Sequence, residues 1–293
     1  MTTFLSKYER LTQIRATDPG AIRRAADART RAPLVPSDGR LMIIACDHPA
    51  RGANGVADRP LAMANRGDLL DRLQTALSRP GVDGLLGSPD IIEDLLLLGA
   101  LEGKVVFGSM NRGGLQGAAF ELDDAFTGYD AQGIAEMGLN GGKTLTRVAL
   151  DDPGTLNTLT GTARAIDELA ERGLAAMVEQ FWSSRVDGKV RNDLSPDAVI
   201  KSIGVSSALG RTTAHTWLKL PVVPDMDRVM AATTLPTLLL GGDPDGNPEE
   251  TFAGWRAALQ LPAVRGLVVG RTLLYPADDD VAAAVDTAAA MVR

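Results

Sequence analysis

Two lysines and a glutamate stand inside apolar runs of this chain: Lys143 within Gly141–Arg147, Glu179 within Ala175–Phe181 and Lys219 within Thr213–Leu220. Each run reads as a short strand, and side chains two apart on a strand share a face. Lys143 then shares a face with Leu145 and Arg147, Glu179 with Met177, and Lys219 with Trp217 and His215. If those faces turn inward on neighbouring strands, the three groups meet in one cavity. An ammonium group among apolar neighbours is costly unless it is paired or loses its proton. A free lysine titrates at about 10.4, and both desolvation and a second cation favour the neutral amine, the form that attacks a carbonyl. Two lysines beside one carboxylate can therefore make a Schiff-base site, with one amine as nucleophile, the other tuning it and the carboxyl group moving a proton. The same residues also fit a plainer arrangement, in which each lysine reaches water or closes a structural ion pair with Glu179.

Other polar residues fall where apolar runs end. Asp47-His48 follow Leu41–Cys46, Thr237–Gly241 runs into Gly241-Gly242-Asp243, and Gly270-Arg271 close the last run, Gly266–Gly270. Glycine lets backbone N–H groups approach an anion, and an arginine adds a bidentate contact, so Gly241, Gly242, Gly270 and Arg271 read as a phosphate grip. A tight turn and a surface arginine would look the same. Asp47 can serve the chemistry or simply cap a loop. His48 and His215 are the only histidines, on distant runs without an evident third ligand, which points to hydrogen bonding ahead of metal ligation. With Arg147, they are candidate substrate contacts.

The elements that must position these groups alternate. Eight short apolar runs, which also include Gly84–Gly87 and Val105–Met110, are separated by helix-like segments such as Pro60–Ser78, Pro153–Arg172, Ser195–Leu209, Pro248–Leu259 and Asp278–Val292. Helix starts are marked by Asp152-Pro153, Ser195-Pro196 and Asn247-Pro248. Strands joined by helical crossovers pair in parallel. A helical extension over residues 1–32 followed by a (βα)8 TIM barrel over 33–293 is expected. A doubly wound sheet would place a Gly-x-Gly-x-x-Gly turn after its first strand, where this chain has Ala45-Cys46-Asp47-His48-Pro49. A barrel puts its chemistry at the carboxyl ends of its strands and often binds phosphate after the last two, where the glycine pairs stand. The glycine-rich stretch Asn111–Gly117 reads as an extended loop covering the site.

With 293 residues, 45% of them hydrophobic and 23% charged, the chain is able to bury a sizeable core. A net charge of −7 argues against a nucleic-acid footprint. The single cysteine, Cys46, excludes an intrachain disulfide and fits a reducing compartment. No apolar run approaches the roughly 20 residues of a membrane helix, so a soluble, cytoplasmic protein is expected.

Gly138-Leu139-Asn140-Gly141-Gly142-Lys143-Thr144-Leu145, continuing to Asp151-Asp152-Pro153, resembles the fourth-strand lysine segment of class I, Schiff-base aldolases, in the branch of tagatose-bisphosphate and archaeal-type fructose-bisphosphate aldolases. Met177-Val178-Glu179-Gln180-Phe181 is similar to the fifth-strand glutamate segment of that family, and Thr216-Trp217-Leu218-Lys219-Leu220-Pro221 to its sixth-strand lysine segment. Ile44-Ala45-Cys46-Asp47-His48 resembles the first-strand aspartate motif, and Gly270-Arg271 the phosphate grip. The resemblance implies that Lys219 forms the imine and Glu179 is the acid/base. It implies that Lys143 and Asp47 assist proton transfers and tune the amine, while Gly241, Gly242, Gly270 and Arg271 hold a phosphate. The chain departs from the family in two places. No tyrosine stands in the fourth-strand segment, where the archaeal type uses one as its acid, and neither Gln-Arg nor His-Gly follows Asp47-His48-Pro49.

The chain also resembles an actinobacterial barrel family associated with inositol catabolism. That likeness implies cleavage of 6-phospho-5-dehydro-2-deoxy-D-gluconate to dihydroxyacetone phosphate and malonate semialdehyde. No cofactor or metal is called for, since the imine is the electron sink. A phosphorylated small molecule is the expected partner, and assembly as a homo-oligomer is expected, with neither nucleic acid nor membrane. The same residues would serve a sulfosugar-phosphate, tagatose- or fructose-bisphosphate aldolase or a transaldolase, and a non-catalytic sugar-phosphate-binding barrel would keep Arg271 and the glycines alone.

Overall fold

The strands of this chain are apolar on both faces because both faces are covered, one by the barrel's own interior and one by helices. The computed structural model describes residues 6–242 and 248–293, so Asp243 and Asn247 lie outside the described residues. Among those residues run β1 (Leu41–Cys46), β2 (Gly84–Gly87), β3 (Val105–Ser109), β4 (Gly141–Val148), β5 (Ala175–Val186), β6 (Lys189–Asp193), β7 (Thr216–Leu220), β8 (Thr237–Leu240) and β9 (Val264–Val269). Eight of them pair in parallel in the order β1, β2, β3, β4, β5, β7, β8, β9, and β9 pairs back with β1. The result is a closed (βα)8 TIM barrel.

The interior series is read at two-residue steps: Leu41, Ile43 and Ala45 on β1, Val105 and Phe107 on β3, Ala175 and Met177 on β5, with Trp217, Leu238 and Val268. The alternate residues, such as Met42, Ile44 and Cys46, pack with Leu69 and Leu73 of the following helix. The N-terminal helices Lys7–Thr17 and Gly20–Ala28 lie outside this ring. Ser6 and Glu9 cap the first one reciprocally, and Arg15 ties it to Glu93 at 2.8 Å and Asp94 at 2.9 Å. Ala32 and Leu34 pack against the interior cluster, and Asn140, just before β4, donates to the Ala32 carbonyl at 2.9 Å. This segment therefore sits at the amino-terminal mouth, opposite the strand ends that carry chemistry. No described helix is long and apolar enough to cross a membrane.

Element ends differ from expectation in physically readable ways. The fifth strand runs on past Phe181 and turns back as the antiparallel β6, through a two-residue turn at Asp187 (φ 50) and Gly188 (φ 75). Asp-Gly is the preferred pair for such a turn, and that signal lay unused in the sequence. The sixth barrel strand starts at Thr216, later than the expected Thr213, and the helix expected from Pro60 starts at Arg66, where Asn65 caps it.

Closure of the ring depends on Gly266. It pairs with Leu41 at the β1–β9 seam with φ +140, and a methyl group there would run into the Leu41 carbonyl oxygen. Gly266→Ala is expected to destabilise the fold by about 3 kcal/mol, from backbone clash and strain together. Urea unfolding measures it, and a loss under about 1 kcal/mol would mean the seam yields easily.

Candidate active site

The interior series turns polar toward the carboxyl ends of its strands. Asp47 lies two residues beyond Ala45, Ser109 beyond Phe107, Lys143 beyond Gly141, Glu179 beyond Met177 and Lys219 beyond Trp217. Register sets their neighbours: Ser109 is beside Lys143, Lys143 beside Met177, and Glu179 directly beside Lys219. All five are buried.

Together they form a continuous chain of charge. Lys219 Nζ donates to Glu179 Oε1 at 2.8 Å, while Glu179 Oε2 pairs with Lys143. Lys143 Nζ also donates to Asp47 Oδ2 at 3.2 Å. Asp47 in turn pairs with Arg112 and accepts the Ser109 hydroxyl at 3.0 Å. Burial alone would favour a neutral Glu179, but Lys143, Lys219 and Arg112 outweigh it and hold the carboxyl well below its usual range. Asp47 is likewise buried and held low by Arg112 and Lys143. Burial, then repulsion from Arg112, pushes Lys143 down to about 8.

The Lys143 shift sets a pH dependence. The folded chain releases this proton near 8, whereas an unfolded lysine keeps it to about 10.4. Between those values the unfolded state binds more protons, so this group's contribution makes stability rise with pH, and the burial penalty is fully felt only below 8. Melting temperature for the wild type minus that for Lys143→Met is expected to increase from pH 8 to 10. A flat difference would contradict a depressed Lys143.

A cavity of about 600 Å³ opens above this chain. Lys219 and Glu179 are part of its wall; Lys143 and Asp47 are not. Residue spacing alone left the two lysines interchangeable, and the structure separates them by exposure to this space. Gly241, Gly242, Gly270 and Arg271 all line it, at the ends of β8 and β9. Gly242 has φ +72 with open space where a side chain would point, whereas a Cβ at Gly270 would meet the Ala45 carbonyl, so Gly270 is glycine for packing as well. His48 lines the cavity, with a buried Nδ1 that has no hydrogen-bond partner among the described residues, and burial keeps its imidazole well below the usual range and so neutral. Arg147 lines it too, held by Asp124 at 2.6 Å. His215 does not. It precedes Thr216 at the amino-terminal start of β7, and its carbonyl accepts from the Ala176 N–H there. Sharing a face with Lys219 is not enough, because four residues along a strand span about 13 Å. Among the described residues, no group of three or more His, Cys, Asp or Glu side chains is placed to hold a metal ion.

The model of the Cgl0159-like family matches residues 39–289. The chain belongs to the Cgl0159-like family. The crystal structure of Cgl0159 from Corynebacterium glutamicum is 55% identical, with 98% of this chain and 96% of that chain covered and a TM-score of 0.95. A Schiff base-forming fructose-1,6-bisphosphate aldolase shares the fold at 19% identity, covering 89% of this chain and 97% of its own, with a TM-score of 0.68. So does an archaeal fructose-1,6-bisphosphate aldolase whose catalytic lysine is covalently bound to the carbinolamine intermediate of its substrate, at 18% identity, 88% and 96% coverage and a TM-score of 0.67. No curated protein matches the sequence.

The site of this Cgl0159-like chain also holds residues that its sequence did not mark. Arg112, Glu121 and Asp124 come from the segment after β3, which is pinned down by more than loop contacts. The Asn111 side chain accepts the Leu145 N–H at 2.6 Å and donates to its carbonyl at 2.6 Å, so it fastens the segment to β4. Arg51 approaches Glu121 Oε1 at 3.7 Å, and Arg147 approaches the same oxygen at 3.6 Å. Asn192 and Leu194 reach the cavity from β6 and the residues just after it. The network thus sets five cations (Arg51, Arg112, Lys143, Arg147, Lys219) against four carboxylates (Asp47, Glu121, Asp124, Glu179).

Proposed function

We propose that the protein is a class I aldolase that cleaves a phosphorylated ketose or keto sugar acid through an imine on Lys219. One observation carries this reading: of the two buried lysines, Lys219 alone faces the cavity, with Glu179 Oε1 2.8 Å from its nitrogen. A nucleophilic amine needs both an open approach for a carbonyl carbon and a partner to exchange protons with. Lys143, with no share of the cavity wall, adds positive charge beside Glu179.

In the proposed sequence, neutral Lys219 adds to the substrate ketone, and the hydroxyl of the adduct takes a proton from solvent and leaves as water, giving a protonated imine. The bond between the carbon adjacent to the imine and the hydroxyl-bearing carbon after it then breaks, and its electron pair moves into the imine to form an enamine. The hydroxyl on the departing carbon gives its proton to Glu179 as that carbon becomes an aldehyde. Glu179, which its cationic neighbours keep ionised, suits this base role. It returns the proton to the enamine carbon, and water hydrolyses the protonated imine to free the phosphorylated ketone, neutral Lys219 and the proton taken up at the first step. Gly241, Gly242 and Arg271 would hold the phosphate beside the lysine strand.

The substrate we propose is 6-phospho-5-dehydro-2-deoxy-D-gluconate, giving dihydroxyacetone phosphate and malonate semialdehyde. A panel of this compound, fructose 1,6-bisphosphate, tagatose 1,6-bisphosphate and a sulfosugar phosphate, assayed for triose phosphate release, tests the choice. The expected outcome is release from the keto sugar acid at least about tenfold faster, in kcat/KM, than from either bisphosphate. No release from any compound would return the barrel to a sugar-phosphate-binding role.

A further inference from the structure

The cavity carries cationic side chains at two places, and the topology puts them on opposite sides. In an eight-stranded ring, strands four places apart face each other across the axis. Gly241-Gly242 and Gly270-Arg271 follow the seventh and eighth barrel strands, β8 and β9; Arg112 follows the third and Arg147 lies on the fourth. Arg51 joins this second group through Glu121, which it shares with Arg147. Lys219, on β7, neighbours the phosphate grip, so a substrate held there extends its other end toward the second group.

That second group is incompletely neutralised. Arg147 is matched by Asp124, with Nε donating at 3.0 Å and a second contact at 2.6 Å, and Arg112 is matched by Asp47. Among the described residues, Arg51 has only the 3.7 Å approach to Glu121, whose other oxygen already takes the Gly117 N–H at 2.8 Å. Burial and the repulsion of Arg112 and Arg147 push Arg51 down to about 10, as expected of a cation short of counter-charge. Arg112, only 6% exposed and part of the cavity wall, keeps an Nε with no hydrogen-bond partner among the described residues. Arg51, Arg112 and Arg147 face Asp47, Glu121 and Asp124, and of the three arginines Arg51 is the one held only at 3.7 Å. One loosely paired guanidinium matches a carboxylate; a phosphate dianion would meet stronger repulsion from Glu121 and Asp124.

We propose that Arg51 and Arg147, with Arg112 beneath them, form a subsite for a carboxylate on the aldehyde half of the substrate, an inference that rests on the aldolase reading above. The substrate class is then a keto acid phosphate, anionic at both ends, and the aldehyde product is a short oxo acid. Arg51 selects it.

The test runs condensation with dihydroxyacetone phosphate and three aldehydes: 3-oxopropanoate (carboxylate), glyceraldehyde (neutral) and glyceraldehyde 3-phosphate (dianion). The wild type is expected to favour 3-oxopropanoate over both others by at least about tenfold in kcat/KM. Arg51→Gln should cut the carboxylate-to-neutral selectivity by about tenfold or more, through KM, and Arg51→Lys should recover part of it. Unchanged selectivity in Arg51→Gln, or preference for the phosphorylated aldehyde, would overturn the proposal. A second measurement needs no turnover: calorimetric titration of the full chain with malonate, expected to weaken at least about tenfold in Arg51→Gln. Equal malonate affinity in the two proteins would also overturn it. Arg51-dependent malonate binding without condensation of any aldehyde would sink the aldolase reading and leave the carboxylate subsite standing.

Discussion

Lys219→Ala is expected to lower triose phosphate release by at least about a thousandfold and to leave the fold intact, because removing a covalent nucleophile removes the whole imine route. The fold survives because Glu179 keeps Lys143 as its partner and the truncated side chain borders the cavity. Lys143→Ala provides the contrast. Glu179 keeps Lys219, and Asp47 keeps Arg112, so the imine still forms while the later proton transfers slow. Steady-state rates of the two variants, with circular dichroism to verify folding, make the comparison. Equal losses would erase the distinction between nucleophile and neighbour; a larger loss in Lys143→Ala would reverse it.

Asp47→Ala should be the most destabilising change in the site. Asp47 is fully buried and neutralises both Arg112 and Lys143. Removing one partner of a buried ion pair leaves the other charge uncompensated, at a cost of about 3–5 kcal/mol. Lys143 keeps Glu179 and can shed its proton, but Arg112 can do neither. The penalty should therefore come mostly from Arg112, and Asp47→Ala combined with Arg112→Leu should recover more than half of it. Urea unfolding of both single variants and the double variant forms the cycle. Additive losses would show that Asp47 acts independently of Arg112. Acid should act in the same direction as Asp47→Ala. Asp47 and Glu179 titrate below their unfolded values, so the stability they supply is present above about pH 4 and is lost as pH falls further.

Much of this architecture was legible because the relevant signals are local. Apolar runs of four to eight residues bounded by glycine and proline located the barrel strands to within a few residues, and two-residue periodicity put Lys143, Glu179 and Lys219 inward. What periodicity lacks is height along the barrel axis. His215 shares the parity of Lys219, yet belongs to the other end, and Arg147 shares that of Lys143, yet reaches the cavity that Lys143 does not. Height follows from register between strands, a long-range property with no trace in one strand's sequence. Arg51, Arg112, Glu121 and Asp124 were hidden for a related reason. They lie in loops or, for Arg51, a single 3-10 turn, and only the fold brings residues 51 and 121 within 3.7 Å. The β5–β6 hairpin was readable from Asp187-Gly188, but it extends a strand that already looked complete at Phe181.

The central claim is that the Lys219 amine bonds to a substrate carbonyl. Sodium borohydride added to the protein with dihydroxyacetone phosphate, followed by peptide mass spectrometry, tests it most directly. The account predicts one reduced triose phosphate adduct per chain, on the peptide containing Lys219, and none in Lys219→Ala. An adduct on Lys143, or no adduct anywhere in a folded protein that still releases triose phosphate, would contradict it.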